Sequence, residues 1–377
     1  MTTRSITQHQ QQRSEPVETW EKSSIPRALI KLGIDIHTQW LVVVAQHDHA
    51  SPRPPRRFLR EEFIAWVEEL VRQGHCVHAV YEACGFGFGL CRKLGSLGAH
   101  CVVVSPQKLD ESNTRIKTDG RDARTLCLRL DRYLLGNPHA LAVIRIPREE
   151  EEQLRNQSRQ RDALVRHRSR LQAQGRSLLV SSELPAPSNW WKPQTWGRLQ
   201  RHLPPWIIPQ LELTRPVLLT LDTQIASLTE ELEECAPEKI PSGVGKLTSV
   251  SIGREICDWK RFQNRRQVAS YTGLCPGEYS SGNKRVQGSV TKHGNPRLRC
   301  ALVELAWRMV RFQPEYPPVG KRLHILGKGA RATSALRKKA IVAVARQLAV
   351  DFWRLQTGQT TAEKLGLTFN AHDALIS

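Results

Sequence analysis

Residues 28–46 read ALIKLGIDIHTQWLVVVAQ. ALIKLGIDI has the apolar, β-branched character of a strand, HTQ reads as a turn, and WLVVVAQ reads as a second strand. Asp35 lies inside the first of these strands. A carboxylate at the centre of a core strand is costly unless it is paired or coordinates something. The segments that follow supply the rest of an α/β unit. SPRPPRR (51–57) cannot sit in a sheet interior and reads as a loop. FLREEFIAWVEELVRQG (58–74) has apolar residues at helical spacing and stops at Gly74. CVHAVYEA (76–83) is a strand, LCRKLGSLGA (90–99) a short helix, HCVVVSP (100–106) a strand, and TDGRDARTLCLRLDRYLLG (118–136) a helix. Strand, strand, helix, strand, helix, strand, helix is the alternation of an α/β domain, expected over 28–147.

Outside this unit the pattern changes. Residues 1–27 are Gln-, Ser- and Arg-rich and aperiodic, and read as a disordered arm. Residues 148–182 are charged and helical with sparse apolar positions, as in one half of a coiled coil. A Trp- and Pro-rich insert, LPAPSNWWKPQTWGRLQRHLPPWIIP (184–209), breaks that helix. LLTLDTQIASLTEELEECA (218–236) then places Leu218, Leu221, Ile225, Leu228 and Leu232 on one face. Two long helices around an insert predict a helical hairpin over 148–239, either an intramolecular prop or a dimerising element. A mostly helical domain is expected over 240–357 and a tail over 358–377. In it, IPSGVGKLTSVSIGREI (240–256) has the look of a helix-hairpin-helix, with Gly243 and Gly245 letting backbone N–H groups approach a DNA phosphate. A Gly/Ser/Pro-rich loop (271–288), a basic segment (289–299), an amphipathic helix (298–312) and a basic helical stretch (321–357) follow.

The chain carries 56 Lys and Arg against 36 Asp and Glu, a net charge of +20. That excess points to a nucleic-acid partner, because basic side chains displace counterions condensed on a phosphate backbone. No apolar run reaches the roughly 18 residues needed to cross a bilayer, and the polar N-terminus has no secretory h-region, so a cytoplasmic, nucleoid-associated protein is expected. The nine Cys include no C-x-x-C pair. They read as reduced, mostly buried apolar residues, and the spacing of Cys84 and Cys91 fits no zinc finger.

Four acidic residues stand out. Asp35 is in the first strand, Glu82 ends a later one before a Gly-rich turn, and Asp119 and Asp122 share one face at the start of a helix. Each has an ordinary alternative: a turn for Asp35, a salt bridge for Glu82, an N-cap for Asp119 and a helix-dipole contact for Asp122. Together, in this element order, they follow the layout of an RNase H-like nuclease. Such folds gather carboxylates around two divalent ions about 4 Å apart. All-oxygen ligation favours Mg²⁺ or Mn²⁺.

The strings GIDIHTQWLVVVAQ, VYEACGFGFGL, VVVSPQKL and KTDGRDARTL resemble the RuvC-like N-terminal domain of the DEDD-type insertion-sequence transposases related to the Piv DNA invertases. The segment from IPSGVGKLTSV to ALVELAW resembles the second domain of the same family. The resemblance covers roughly residues 28–136 and 240–312 in the family's order, and the insert at 184–209 exceeds what a minimal hairpin needs. It implies that Asp35, Glu82, Asp119 and Asp122 hold the metal ions. It also implies a serine in a Ser-Gly turn that attacks DNA and forms a covalent intermediate. Ser281 in EYSSGNK is the better match, with Ser280 the alternative. Without the resemblance, a turn or capping role is preferred for both. Lys284, Arg285, Lys292, His293, Arg297 and Arg299 crowd the nearby glycines and are expected to contact phosphates. Lys292 and His293 are alternatively general acids.

The expected function is therefore excision and insertion of an insertion sequence, acting on element ends and target DNA, as a dimer or tetramer. The resemblance further implies guidance by an element-encoded structured RNA. Two other enzymatic readings share the quartet: a site-specific invertase and a junction-resolving nuclease. A reading from another class is a non-catalytic DNA-binding repressor.

Overall fold

The computed structural model describes residues 28–106, 118–281 and 284–369. The arm expected at 1–27, the QKL of VVVSPQKL, residues 282–283 of the expected Ser-Gly turn and the last residues of the tail lie outside them. The chain divides into two compact units, 1–146 and 147–377.

The first unit is built on a five-stranded sheet. Its elements are β1 (Leu29–Ile36), β2 (Trp40–His47), β3 (Arg56–Leu59), α1 (Arg60–Arg72), β4 (Cys76–Glu82), α2 (Gly89–Ser96), β5 (His100–Val104) and α3 (Asp119–Leu134). The sheet order is β3-β2-β1-β4-β5. The first three strands form an antiparallel meander, and β1, β4 and β5 run parallel. Helices cover both faces, which is why β1 and β2 read as nearly continuous apolar runs. Ile30, Leu32 and Ile34 of β1 pack with Val77, Ala79 and Tyr81 of β4 under α1 and α2. Full burial of each such Leu or Ile contributes about 1.5–3 kcal/mol. On the opposite face, Val42 and Val44 meet Ala123 and Cys127 of α3, and Val80 and Val104 meet Leu126 and Leu130.

Lys31, on the α3 face of β1, is fully buried. Its ammonium is bound by the Asp131 carboxylate of α3 and donates to the Asp48 carbonyl. Burial raises the Asp131 carboxyl, but the hydrogen bond and charge of Lys31 outweigh it and hold the group below the usual carboxylate range.

The expected loop at 51–57 is shorter than it reads. Arg56 and Arg57 pair with Val43 and Val42 as the start of β3, and Phe58 and Leu59 belong to that strand rather than to the helix. Only Phe58 of the four residues is buried, so this edge strand has no apolar alternation to betray it.

The second unit contains α4 (Glu149–Ser181), α5 (Pro193–Leu199), α6 (Ile208–Glu234), α7 (Lys246–Ile256), α8 (Arg265–Thr272), β6 (Pro276–Ser281), β7 (Lys284–Val290), α9 (Pro296–Phe312), α10 (Pro317–Gly320), α11 (Leu323–Leu326) and α12 (Ser334–Gln356). α4 and α6 are antiparallel partners. Gln157 bonds Glu231, Arg161 bonds Thr229, and Arg168 bonds Asp222. At their far end the insert is a compact module in which Trp190, Trp191 and Trp196 pack with Leu179, Leu211 and Leu218. Trp190 Nε1 donates to the Gln172 carbonyl (3.1 Å) and Trp191 Nε1 to Asp222 (2.7 Å). α6 begins ten residues earlier than LLTLDTQ suggests and runs through Pro216. Pro216 lies on the exposed face, where water can satisfy the carbonyl that loses its N–H partner.

At the other end of the helix pair, Glu255 of α7 is buried and accepts two hydrogen bonds from Arg159 of α4, at 2.8 and 2.7 Å. Asn295, which caps α9, donates a third at 2.7 Å. Burial raises the Glu255 carboxyl, yet Arg159 and Asn295 hold it below its ordinary value. The remaining helices share one core, centred on Leu302, Leu305, Val344 and Leu348. The stretch 271–290, expected to be loop and basic segment, contains the β6–β7 hairpin. The expected tail is in part core: Ala362, Leu365 and Leu367 are buried, and Phe369 bridges to Pro241.

Candidate functional site

Side-chain alternation along β1 puts Lys31, Gly33 and Asp35 on the face covered by α3. Gly33 determines how closely that helix lies. A Cβ there would fall 2.0 Å from the Ala123 carbonyl oxygen and 2.5 Å from the Cys127 nitrogen. Backbone therefore rests on backbone, and the start of α3 is carried to the C-terminal end of β1. Thr118 occupies the N-cap position, so Asp119 and Asp122 are the first and fourth helical residues. Unpaired N–H groups at a helix start give that end a positive field, which favours both carboxylates.

Glu82 is the last residue of β4, on the same face as Val80. The last register pair between β1 and β4 is Ile34 with Tyr81, so Asp35 and Glu82 follow side by side on adjacent strands. The sheet thus contributes two carboxylates and α3 two more. Asp35 responds to that crowding. Burial pushes its carboxyl above the ordinary range, His37 opposes the shift, and the charges of Asp119 and Asp122 add to it.

His37 is the residue the sequence reading missed. Its backbone N–H donates to the Trp40 carbonyl (3.0 Å) and closes the β1–β2 turn. Its Nε2 then lies between two carboxylates, 3.3 Å from Asp35 and 3.2 Å from Asp119. One donor atom from each of these three residues falls within 4.8 Å of the others. Only its position two residues after Asp35 hinted at this, and a turn explained it equally well.

A divalent cation fits this set. Carboxylate oxygens dominate, the donors converge from three elements, and a cation would relieve the repulsion that raises Asp35. Hard ions of the Mg²⁺ and Mn²⁺ class prefer such oxygen-rich sites.

The residues singled out in the second unit fall in two places. Ser280 and Ser281 close β6, in register with Arg285 and Lys284 of β7. The loop after β7 is tied to the end of α8. The Lys292 N–H donates to the Gly273 carbonyl (3.2 Å), and the Arg299 guanidinium donates to the carbonyls of Thr272 and Lys292 (3.2 Å each). Lys292 adopts a left-handed conformation (φ 57°), and it and His293 are exposed. Arg297 pairs with Asp162 of α4 at 3.1 Å. Arg297 and Arg299 thus hold the fold together as well as adding positive charge. Elsewhere, Gly243 (φ 87°) turns the chain into α7, for which Gly245 is the N-cap, and packs against Phe312.

Comparison with known proteins accounts for both units. Residues 32–182 match the DEDD transposase domain of IS110-type elements, and residues 238–318 match the domain described as transposase, IS116/IS110/IS902 family. A putative transposase of Sinorhizobium fredii is 32% identical over 297 residues, covering 71% of this chain and 74% of its own. The transposase for insertion sequence element IS1111A of Coxiella burnetii is 26% identical over 350 residues, covering 88% of this chain and 90% of its own. The pilin gene-inverting protein of Moraxella bovis is 32% identical over 138 residues, 33% of this chain and 40% of its own. No helix among the described residues is long and apolar enough to cross a membrane. With both of its domains matched in order, the chain belongs to the IS116/IS110/IS902 family of insertion-sequence transposases.

Proposed function

We propose that this transposase cuts and rejoins DNA with two sets of residues: the carboxylates of Asp35, Glu82, Asp119 and Asp122 in the first unit, which would hold divalent ions, and the Ser281 hydroxyl in the second, which attacks the strand. The observation that carries the first part is the convergence of Asp35, beside Glu82 on the next strand, with the first turn of α3, where His37 Nε2 lies 3.3 Å from Asp35 and 3.2 Å from Asp119. Acids forced together at the C-terminal ends of two interior strands are a cost without a cation and a binding site with one. When bound, Mg²⁺ or Mn²⁺ supplies charge neutralisation of a phosphodiester and of the oxygen that leaves it.

The chain's own residues do the rest. β1 and β4 fix Asp35 and Glu82, while α3 holds Asp119 and Asp122 above them. His37 keeps its Nε2 between the Asp35 and Asp119 carboxylates. The Ser281 oxygen bonds to phosphorus as its proton leaves, and the P–O bond to the departing strand end breaks. The phosphodiester is conserved in the Ser–DNA link, so rejoining needs no external energy source. Lys284 and Arg285, in register with Ser281 and Ser280, and Lys292 and His293, beyond the opposite end of the hairpin, supply phosphate contacts. The net charge of +20 supports nucleic-acid partners generally, and an element-encoded RNA guide remains part of the proposal on family grounds. So do a coiled-coil role for α4 and α6 in a dimer or tetramer, a DNA-contacting turn at Gly243 and Gly245, and action at the bacterial nucleoid.

The test is trapping of a covalent adduct on element-end DNA in Mg²⁺. Wild type should give the adduct, Ser281→Ala should lose it, and Asp35→Asn and Asp122→Asn should lose both adduct and nicking. An adduct that persists in Ser281→Ala but not Ser280→Ala would move the nucleophile by one residue. Nicking without any adduct would instead mark a hydrolytic nuclease. Undiminished recombination in Asp35→Asn would refute the metal site.

A further inference from the structure

A second cluster of metal-binding side chains lies on the same sheet. Cys76 and His78 are two residues apart on β4 and therefore share a face, the one covered by α3. His100 opens β5 and is the register partner of His78. One donor atom from each of the three falls within 4.8 Å of the others. Cys76 Sγ is 3.5 Å from His78 Nε2, and the two imidazole rings stand 4.8 Å apart.

We infer that Cys76, His78 and His100 bind one Zn²⁺-class ion, with water completing its coordination. Bonds of about 2.3 Å to sulfur and 2.0–2.1 Å to nitrogen at a tetrahedral angle separate the two donors by about 3.6 Å, close to the spacing of Cys76 and His78. Cys76 and His100 are exposed, so an ion can enter and keep a water ligand. On binding, the Cys76 thiol releases its proton to solvent and the thiolate bonds to the ion. Lys31, the register neighbour of His78 on β1, has its ammonium taken up by Asp131 and the Asp48 carbonyl.

This site is separate from the acidic one in place and chemistry. Glu82 is four residues beyond His78 on β4, about 13 Å at roughly 3.3 Å per residue. Sulfur and imidazole donors select softer ions than an oxygen-rich set does. Linear spacing gave no zinc motif because the ligands come together only through strand register. An ion held by residues of both strands would staple β5, an edge of the sheet, to β4.

The experiment is cobalt spectroscopy on the full chain in excess Mg²⁺. Wild type should develop a thiolate-to-Co²⁺ charge-transfer band with intense visible bands, saturating at one equivalent and bleached by Zn²⁺. Cys76→Ser and His100→Gln should lose these bands, Asp35→Asn should keep them, and Zn²⁺ should raise the melting temperature of wild type and Asp35→Asn but not of the two ligand variants. Circular dichroism verifies that each variant is folded. Absence of the band in wild type, its persistence in Cys76→Ser through another of the nine Cys, or its loss in Asp35→Asn would each overturn the inference.

Discussion

Replacing Gly33 by Ala adds one methyl group where α3 rests on β1. The added carbon would stand 2.0 Å from the Ala123 carbonyl oxygen. Carbon–oxygen contacts settle no closer than about 3.3 Å, so α3 must withdraw by roughly 1.3 Å. Both clashing atoms belong to helix backbone, and no rotamer change can clear them. Overpacking of this kind costs about 1–3 kcal/mol, and the upper end applies where backbone is struck. The functional loss should be larger than the stability loss. Asp119 and Asp122 travel with α3 while Asp35 and Glu82 stay with the sheet, and sites of this kind tolerate only about 0.5 Å of misplacement. A misplacement near 1 Å can lower a rate by about 100-fold. Urea unfolding gives the stability term, and adduct formation on element-end DNA at saturating Mg²⁺ gives the rate. A folded Gly33→Ala protein within about 0.5 kcal/mol of wild type and with an undiminished rate would refute the close-packing argument.

Three further outcomes follow from named contacts. Asp131→Ala should destabilise by about 3–5 kcal/mol because it strands a buried ammonium, whereas Lys31→Met leaves only a partly exposed carboxylate and should cost clearly less; equal losses on urea unfolding would contradict the pairing. His37 lowers the Asp35 carboxyl, so His37→Ala should let Asp35 hold its proton to higher pH. Mn²⁺ binding, followed by electron paramagnetic resonance, should then fail at a higher pH than in wild type as the solution is acidified, and an unmoved midpoint would exclude this role. Glu255 is held below its unfolded value near 4.3. Its contribution to stability is thus complete above that value and lost as pH falls through the folded one, and Glu255→Gln should flatten that acid limb in thermal melts.

The parts of the fold legible in sequence are those whose burial imposes a period. β1, β2, β4 and β5 read as apolar runs because helices cover both faces, and α1 and α3 show their stripes. β3 escaped because it is an edge with one buried residue behind two prolines. The β6–β7 hairpin escaped because residues such as Val286, Gln287 and Ser289 are exposed, leaving no alternation to read. The first ten residues of α6 escaped because Pro216 interrupts them, although its exposed position lets water satisfy the orphaned carbonyl. The four candidate acids stand out by residue type and element order. His37 and Gly33 do not, since one contributes through a turn and the other through the absence of a side chain.

The four buried residues of α6, Leu211, Leu218, Ile225 and Leu232, recur every seventh position. That interval limits how the arm made by α4 and α6 can change length. Removing one residue from each helix would shorten it by about 1.5 Å but swing the tryptophan module about 100° around the arm's axis. Removing seven from each would shorten it by about 10.5 Å and return the module to within roughly 20° of its former heading. Viable lengths should therefore form a ladder with rungs about 10 Å apart. Between rungs, the tip would point elsewhere even though the arm still folds.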